Sequence, residues 1–424
     1  MSSNIFVRPS APQRRVVVTG MSMITPLGLN LKESWSGLVN GKSGIGTITH
    51  FDPTAYDAKI AGEVKGFNSD DYIPKKEQKK MDRFIHLALA AAKMALADAN
   101  FTIPENDEDR QRIGSLVGVG MGGLPFIETQ AEILRSRGPG RVSPFFIPSV
   151  ITNMASGQIS MMYGLKGPNY SVTSACASGA HAIGEATGFI RDGRCDVMVV
   201  GGSEAVVTPM AIAGFSSMRA LSTRNDNPGA ASRPWDRDRD GFVLSEGCGM
   251  LILEDYEYAS QRGARIYAEV VGYGTSSDAY HMTSPSPGGV GAAKSMQYCL
   301  EDARIKPEQI GYVNAHGTST PAGDELETQA IKVVFGDHAK KVWISSTKSM
   351  TGHTLGAAGA VESVICLQVL VTNTVPPTIN LDNPSPDCDL DYVPKTAREK
   401  KVDYVLNNSF GFGGTNCSLL FGRI

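Results

Sequence analysis

Two separated stretches of the chain repeat one plan, and a repeat on that scale constrains the fold more than any single motif. A helical end, Ala95-Leu96-Ala97-Asp98-Ala99, has its counterpart in Cys299-Leu300-Glu301-Asp302-Ala303. Each precedes a strand beginning Ile-Gly, at Ile113-Gly114 and Ile310-Gly311. A strand, a turn and a helix of small residues also occur twice: Ser171 to Gly179, and Trp343 to Thr347 followed after a loop by Gly356 to Ala360. Around these repeats the pattern predicts strands at 15–20 and 113–118 and helices over about 31–41 and 81–100. Such alternation marks an α/β layer architecture. The reading is a duplicated βαβ-rich unit, residues 15–264 and 265–424, joined near Gly263 to Tyr267 behind a flexible leader of residues 1–14. Coincidence between common α/β patterns remains the alternative at this point.

Composition removes several classes of function. With 40 basic and 43 acidic residues the net charge is -3, which offers no global footprint for nucleic acid. The seven cysteines are odd in number and never spaced CxxC. That argues against a disulfide framework or a structural zinc, and for a reducing compartment. No apolar run of about 18 residues is expected to span a membrane. The start has Arg8, Arg14 and Arg15 but no apolar stretch of a secretory signal, and the first acid is Glu33. A trimmed organelle presequence stays open alongside a plain leader.

Two motifs are decoys. Asp236, Asp238, Asp240 and Gly241 open like a calcium loop, but the twelfth position is Gly247 and Glu246 falls one short. Internal ion pairs around a turn are the expectation there. Gly118, Gly120, Gly122 and Gly123 follow a strand in G-x-G-x-G-G spacing, not the dinucleotide G-x-G-x-x-G. Close backbone packing accounts for them equally well. No metal site is expected.

Three loops can carry chemistry. Cys176 sits where a strand expected at 170–175 meets an Ala/Gly-rich helix, and a helix N-terminus favours the thiolate. Taken alone, a buried structural cysteine is an equal reading. His316 lies in Asn314-Ala315-His316-Gly317-Thr318-Ser319-Thr320, and His353 in Lys348-Ser349-Met350-Thr351-Gly352-His353. Both follow strands, on the side where α/β sheets place ligands. The third loop, Asn407 to Asn416, sets Gly411, Gly413 and Gly414 around Phe412; it suits a hinged gate with backbone N–H groups free to meet an oxyanion.

Together these segments resemble the β-ketoacyl-[acyl-carrier-protein] synthases of fatty acid synthesis, and most closely the elongating type II synthases of bacteria. The likeness runs from Arg15 to Ile424. It includes Arg233-Pro-Trp-Asp, Asp240-Gly-Phe-Val, Ser277 to Pro285, and Val375-Pro-Pro-Thr-Ile-Asn380. The resemblance implies the thiolase fold, five α/β/α/β/α layers built from two duplicated halves, and a homodimer. It implies an acyltransferase that joins acyl- and malonyl-acyl carrier protein through an acyl-Cys intermediate, releasing CO2 and a 3-oxoacyl chain two carbons longer. Cys176 is then the nucleophile, and neutral His316 and His353 stabilise the enolate. Lys348 supports them, paired with Glu362. Phe412 is the gate, flanked by Gly411 and Gly413; its N–H and that of Cys176 form the oxyanion hole.

The same resemblance assigns Thr318, Thr320, Thr283 and Ser284 to the phosphopantetheine arm. It assigns Lys75, Lys76, Lys79 and Lys80, followed by Arg83, to docking of acidic carrier protein; without the likeness this is a solvated helix start. No tightly bound cofactor is implied, since substrates arrive on the carrier's 4'-phosphopantetheine. The implied location is the bacterial cytoplasm, or alternatively a mitochondrial or plastid matrix. Departures are small: Ser174-Ala175-Cys176-Ala177-Ser178 where related enzymes often have Thr-Ala-Cys-Thr or Thr-Ala-Cys-Ser, and Gly20-Met21-Ser22 for Gly-Met-Gly. Rival readings are a degradative thiolase, a chain-initiating synthase using Cys-His-Asn, a non-catalytic chain-length subunit, and a polyketide ketosynthase module. The third position being His353 opposes the chain-initiating reading, and the presence of Cys176 opposes the non-catalytic one.

Overall fold

Ten strands form the main sheet of the computed structural model, which describes residues 13–424. In chain order they are β1 (Val16–Ile24), β2 (Ile113–Gly118), β3 (Asn169–Val172), β4 (Val197–Glu204), β5 (Gly247–Asp255), β6 (Ala268–Ser277), β7 (Ile310–Asn314), β8 (Trp343–Ser345), β9 (Tyr404–Gly411) and β10 (Thr415–Gly422). Their spatial order is 3-2-4-5-1-6-10-9-7-8. Read from each outer edge inward, the two sets are 3-2-4-5-1 and 8-7-9-10-6, the same order displaced by five strands. Directions agree as well. In the first set β2 pairs in parallel with β3 and β4, while β5 runs antiparallel to β4 and β1. In the second set β7 pairs in parallel with β8 and β9, while β10 runs antiparallel to β9 and β6. Coincidence does not reproduce both order and direction. Among the described residues, the strand pairing that joins the two sets is Val17–Glu269 and Val18–Ala268.

Helices complete five layers. Two of them, α1 (Arg83–Asp98) and α2 (Met154–Tyr163), cover the outer face of the first set. Between the sets lies α3 (Ser178–Arg191). On the far side α4 (Val290–Ala303) covers the second set, with α5 (Pro321–Phe335) beside it. Finally α6 (Ala358–Thr372) returns to the middle layer against α3, β5 and β9.

The middle layer explains one departure from the sequence reading. Leu355–Thr372 is 18 residues long with a hydropathy of 1.7, long and apolar enough to cross a membrane, although no such run was expected. Here 89% of it is buried inside the protein. A helix between two sheets is apolar on every side because every side meets a core. All seven cysteines are buried and unpaired.

The expected elements shift at their ends. The first strand extends to Ile24, the long early helix starts at Arg83, and the strand before the nucleophile stops at Val172. Of the expected leader, residues 1–12 lie outside the described residues. Arg14 does not behave as leader: its Nη1 donates to Asp196 Oδ1 at 2.7 Å.

Gly249 shows how tightly the layers meet. A Cβ there would stand 2.5 Å from the Val361 backbone nitrogen in α6. Gly249→Ala is therefore expected to lose about 2 kcal/mol of stability by overpacking. Gly188→Ala, in α3 with nothing within 4 Å of its Cβ, should be neutral or stabilising. Urea midpoints of the two variants check this, and equal midpoints would contradict the layered contact.

Candidate active site

The C-terminal ends of the strands carry the reactive residues, and the duplication sets where they lie. After β3 the chain turns through the 3₁₀ segment Ala175–Ala177 into α3, and Cys176 is its middle residue. After β8 the same device recurs as Leu355–Ala357 leading into α6. In both turns the first residue is held at positive φ, +50° at Ala175 and +46° at Leu355. An L-residue there costs roughly 1–2 kcal/mol. Gly118 permits the approach of α3, since a Cβ on it would lie 2.3 Å from the Ser178 backbone.

A cavity of about 480 Å³ brings the expected residues together. Cys176, His316, His353, Phe412 and Gly411 line it, as do Thr318, Thr320, Thr283 and Ser284. Gly413 does not line it; it sits exposed at the hairpin tip between β9 and β10. Lys348 and Glu362 lie behind the wall, with Lys348 Nζ bonded to Glu362 Oε1 and both side chains almost fully buried. The lysines expected to dock carrier protein stand apart from the cavity, around the short helix Lys75–Gln78.

The two imidazoles are neighbours, with ring centroids 5.4 Å apart at 85°. Each is held by its backbone. His316 and Gly317 donate their N–H groups to Glu327 on α5, at 2.9 and 2.7 Å. His353 N–H donates to Val243 at 2.8 Å, and its carbonyl accepts from Ser245 at 3.0 Å. Phe242 stands edge-on to His353, and Phe410 tilts against His316. Burial, then the Lys348 charge, holds both His353 and His316 well below the ordinary histidine range, and a proton on His353 would lower His316 further. Both rings are therefore neutral near pH 7. Nδ1 of each ring is enclosed without a partner.

The expectation that the helix N-terminus favours a thiolate at Cys176 is overturned. Burial pushes its thiol up to about 12, against the opposing Lys348 charge and the N–H groups of Phe412 and Cys176 itself. Desolvation of an anion outweighs these favourable dipoles. Cys176 rests as a thiol whose sulfur already faces two backbone donors.

The glycine hairpin is tied on both sides. Gly413 N–H donates to Met282 at 2.7 Å, and Asp278 N–H donates to Gly414 at 2.9 Å. Thr415 Oγ1 donates to the Ser174 carbonyl at 3.0 Å. Thr318 and Thr320 hydroxyls are 3.0 Å apart, while Thr283 and Ser284 N–H groups meet His281 Nδ1 at 3.1 and 3.2 Å.

The basic cluster is smaller than the sequence suggests. Lys75, Lys76 and Lys79 are exposed. Lys80 is half-buried and paired with Glu77 at 2.7 Å. Arg83 turns inward to Glu246, at 2.8 and 2.9 Å, and is no part of the surface patch. The acidic decoy forms internal ion pairs, Arg233–Asp236 and Arg239–Asp324.

Sequence reasoning missed two buried glutamates. Glu327 holds the His316 loop. Glu204, at the end of β4, receives N–H groups from Gly120, Met121 and Gly122, which explains the glycine decoy. An acid closing the apolar run of β4 was the available signal.

The β-ketoacyl synthase N-terminal domain family matches residues 13–259, and its C-terminal domain family matches residues 267–382. A 3-oxoacyl-[acyl-carrier-protein] synthase 2 of Vibrio cholerae is 54% identical over 97% of this chain and 100% of its own. That of Synechocystis is 51% identical over 97% and 98%. A solved β-ketoacyl synthase of Burkholderia phymatum superimposes with a TM-score of 0.90, at 38% identity over 97% of this chain and 100% of the other. A polyketide ketosynthase solved with its acyl-carrier protein gives 0.89 at 36%, over the same shares. With both halves matched and half the residues shared over nearly the full length, the chain belongs to the β-ketoacyl synthase family and has its thiolase-type, five-layer fold.

Proposed function

We propose that this chain elongates fatty acids by decarboxylative condensation of acyl- and malonyl-acyl carrier protein. The observation that carries the reading is one cavity lined by a buried thiol, two uncharged imidazoles and a glycine hairpin. Cys176 sulfur attacks the acyl thioester. A new carbon–sulfur bond forms, the bond to the phosphopantetheine sulfur breaks, and the thiol proton leaves with the departing carrier thiol. The oxyanion of that step is met by the N–H groups of Cys176 and Phe412, the donors that already face the sulfur. Malonyl-carrier then loses CO2, and the electron pair moves onto its thioester oxygen. His316 and His353 donate to that oxygen; with Nδ1 enclosed on each ring, Nε2 is the atom left for substrate. The enolate carbon attacks the acyl carbonyl, the carbon–sulfur bond to Cys176 breaks, and the sulfur takes up one proton from solvent, the proton the overall reaction consumes.

Lys348 and Glu362 act through the histidines. Thr318 and Thr320, with Thr283 and Ser284 across the mouth, would hold the phosphopantetheine arm. Phe412 would swing as the gate on Gly411 and Gly413. The reaction needs no tightly bound cofactor, and bacterial relatives support a place in the bacterial cytoplasm. We place the division between the halves at residues 264 and 265, which leaves five strands of the main sheet on each side.

Unequal sheet edges support a homodimer. The outer strand β8 is covered, with Ile344 N–H donating to Asp391. Its counterpart β3 leaves Asn169 and Tyr170 exposed, and Ile147, Met161 and Met162 on helices, with Phe145 in a turn, are exposed apolar side chains. An open edge flanked by apolar side chains is a surface for a second copy.

Mass spectrometry of the intact protein after incubation with acyl-carrier protein tests the chemistry. Wild type gains one acyl group and Cys176→Ala gains none. His316→Ala and His353→Ala acylate but lose condensation by about 100-fold or more. Normal malonyl decarboxylation in a histidine variant would refute the enolate role. For docking, Lys75→Glu with Lys79→Glu should weaken carrier-protein binding at low salt and flatten its salt dependence. Unchanged affinity removes that surface.

A further inference from the structure

Glu204 is fully buried, and every hydrogen-bond partner it has is a backbone N–H. Oε2 accepts from Gly120 at 2.8 Å and from Gly356 at 3.0 Å; Oε1 accepts from Met121 at 3.1 Å and Gly122 at 3.3 Å. These donors come from different halves. Gly120 to Gly122 follow β2, and Gly356 belongs to the strained turn three residues beyond His353. One carboxylate therefore bridges the two halves behind the cavity. The segments it ties also form cavity wall: Gly120, Met121 and Leu355 line the space beside Cys176. The glycines are required there, since a Cβ on Gly120 would lie 2.5 Å from Glu204 Oε2, and one on Gly356 would lie 2.2 Å from Gly120 N.

Its charge also reaches the nucleophile. Two charged side chains act on Cys176: Lys348, which favours the thiolate, and Glu204, which opposes it. The facing imidazoles of His316 and His353 are neutral. Burial pushes the Glu204 carboxyl up to about 7, with the four N–H groups pulling the other way.

We infer that Glu204 is a positioning residue for the condensation: it fixes the wall that receives the acyl chain, and its charge adds to the burial that keeps Cys176 a thiol until substrate arrives. The inference rests on Cys176 as the nucleophile. In Glu204→Gln one oxygen becomes an NH2 that faces backbone donors, so the wall loosens and the charge disappears. In Glu204→Asp the charge stays but the carboxylate is pulled back from its donors.

The test uses the full chain, with alkylation by iodoacetamide followed across pH and located by peptide mass spectrometry. Acylation rates with long- and short-chain acyl-carrier protein are measured beside it. For Glu204→Gln, the Cys176 alkylation midpoint should move down by about half a pH unit or more. Acylation by the long chain should fall about tenfold relative to the short one. Glu204→Asp should keep the wild-type midpoint and show the acylation loss alone, and it carries the test if the Gln variant does not fold. A merely structural role moves neither the midpoint nor the chain-length ratio, and that outcome in both variants overturns the inference. Alkylation and acyl transfer at a cysteine other than Cys176 would instead overturn the nucleophile assignment beneath it.

Discussion

The site depends on one buried cation. Lys348, almost fully enclosed and bonded to Glu362, lies behind the cavity wall and acts on all three reactive side chains. Burial depresses both imidazoles below their ordinary range and the Lys348 charge adds to that, while partly offsetting the desolvation of Cys176. Glu362, pushed up to about 7 by burial against the Lys348 charge, is the partner that makes such a cation tolerable. Removing either member would leave the other buried without compensation. The pair therefore does more for protonation states than for net stability.

From that constraint the division of labour follows. A neutral imidazole can donate a hydrogen bond without carrying charge into the site, so it suits an oxygen that becomes negative only during the reaction. A thiol held up by burial is stable against adventitious oxidation, since the thiolate is the reactive form. The backbone donors at its sulfur become useful once a carbonyl is bound. The fold supplies these groups by doubling one unit. Both strained turns, after β3 and after β8, bring a helix to the cavity, and in each half a buried glutamate gathers the N–H groups of the loop that follows the second strand of its set.

Much of this was legible in the residues. Repeated Ile-Gly strands and small-residue helices gave the duplication, and the matching strand orders bear it out. Cys176, His316, His353 and Phe412 were legible as a set because each sits in a loop of small residues after a strand. What escaped was set by long-range contact. Lys348 and its partner Glu362 were named only through the family resemblance; nothing in Lys348-Ser349-Met350 announces that the pair is buried. Thiolate character was misjudged because the helix N-terminus is visible in sequence while desolvation is not. Arg83 reads as surface charge until Glu246, 163 residues away, is seen to claim it. Strand ends were misplaced where Ala175 takes positive φ, a conformation its residue type does not advertise.

His316 and His353 stand uncharged beside the Cys176 thiol. Neutron diffraction from crystals held near pH 6 counts protons on each ring directly. A single proton on each imidazole, with the other nitrogen bare, is the predicted result. A second proton on either ring would place positive charge where the account requires none, and would contradict it.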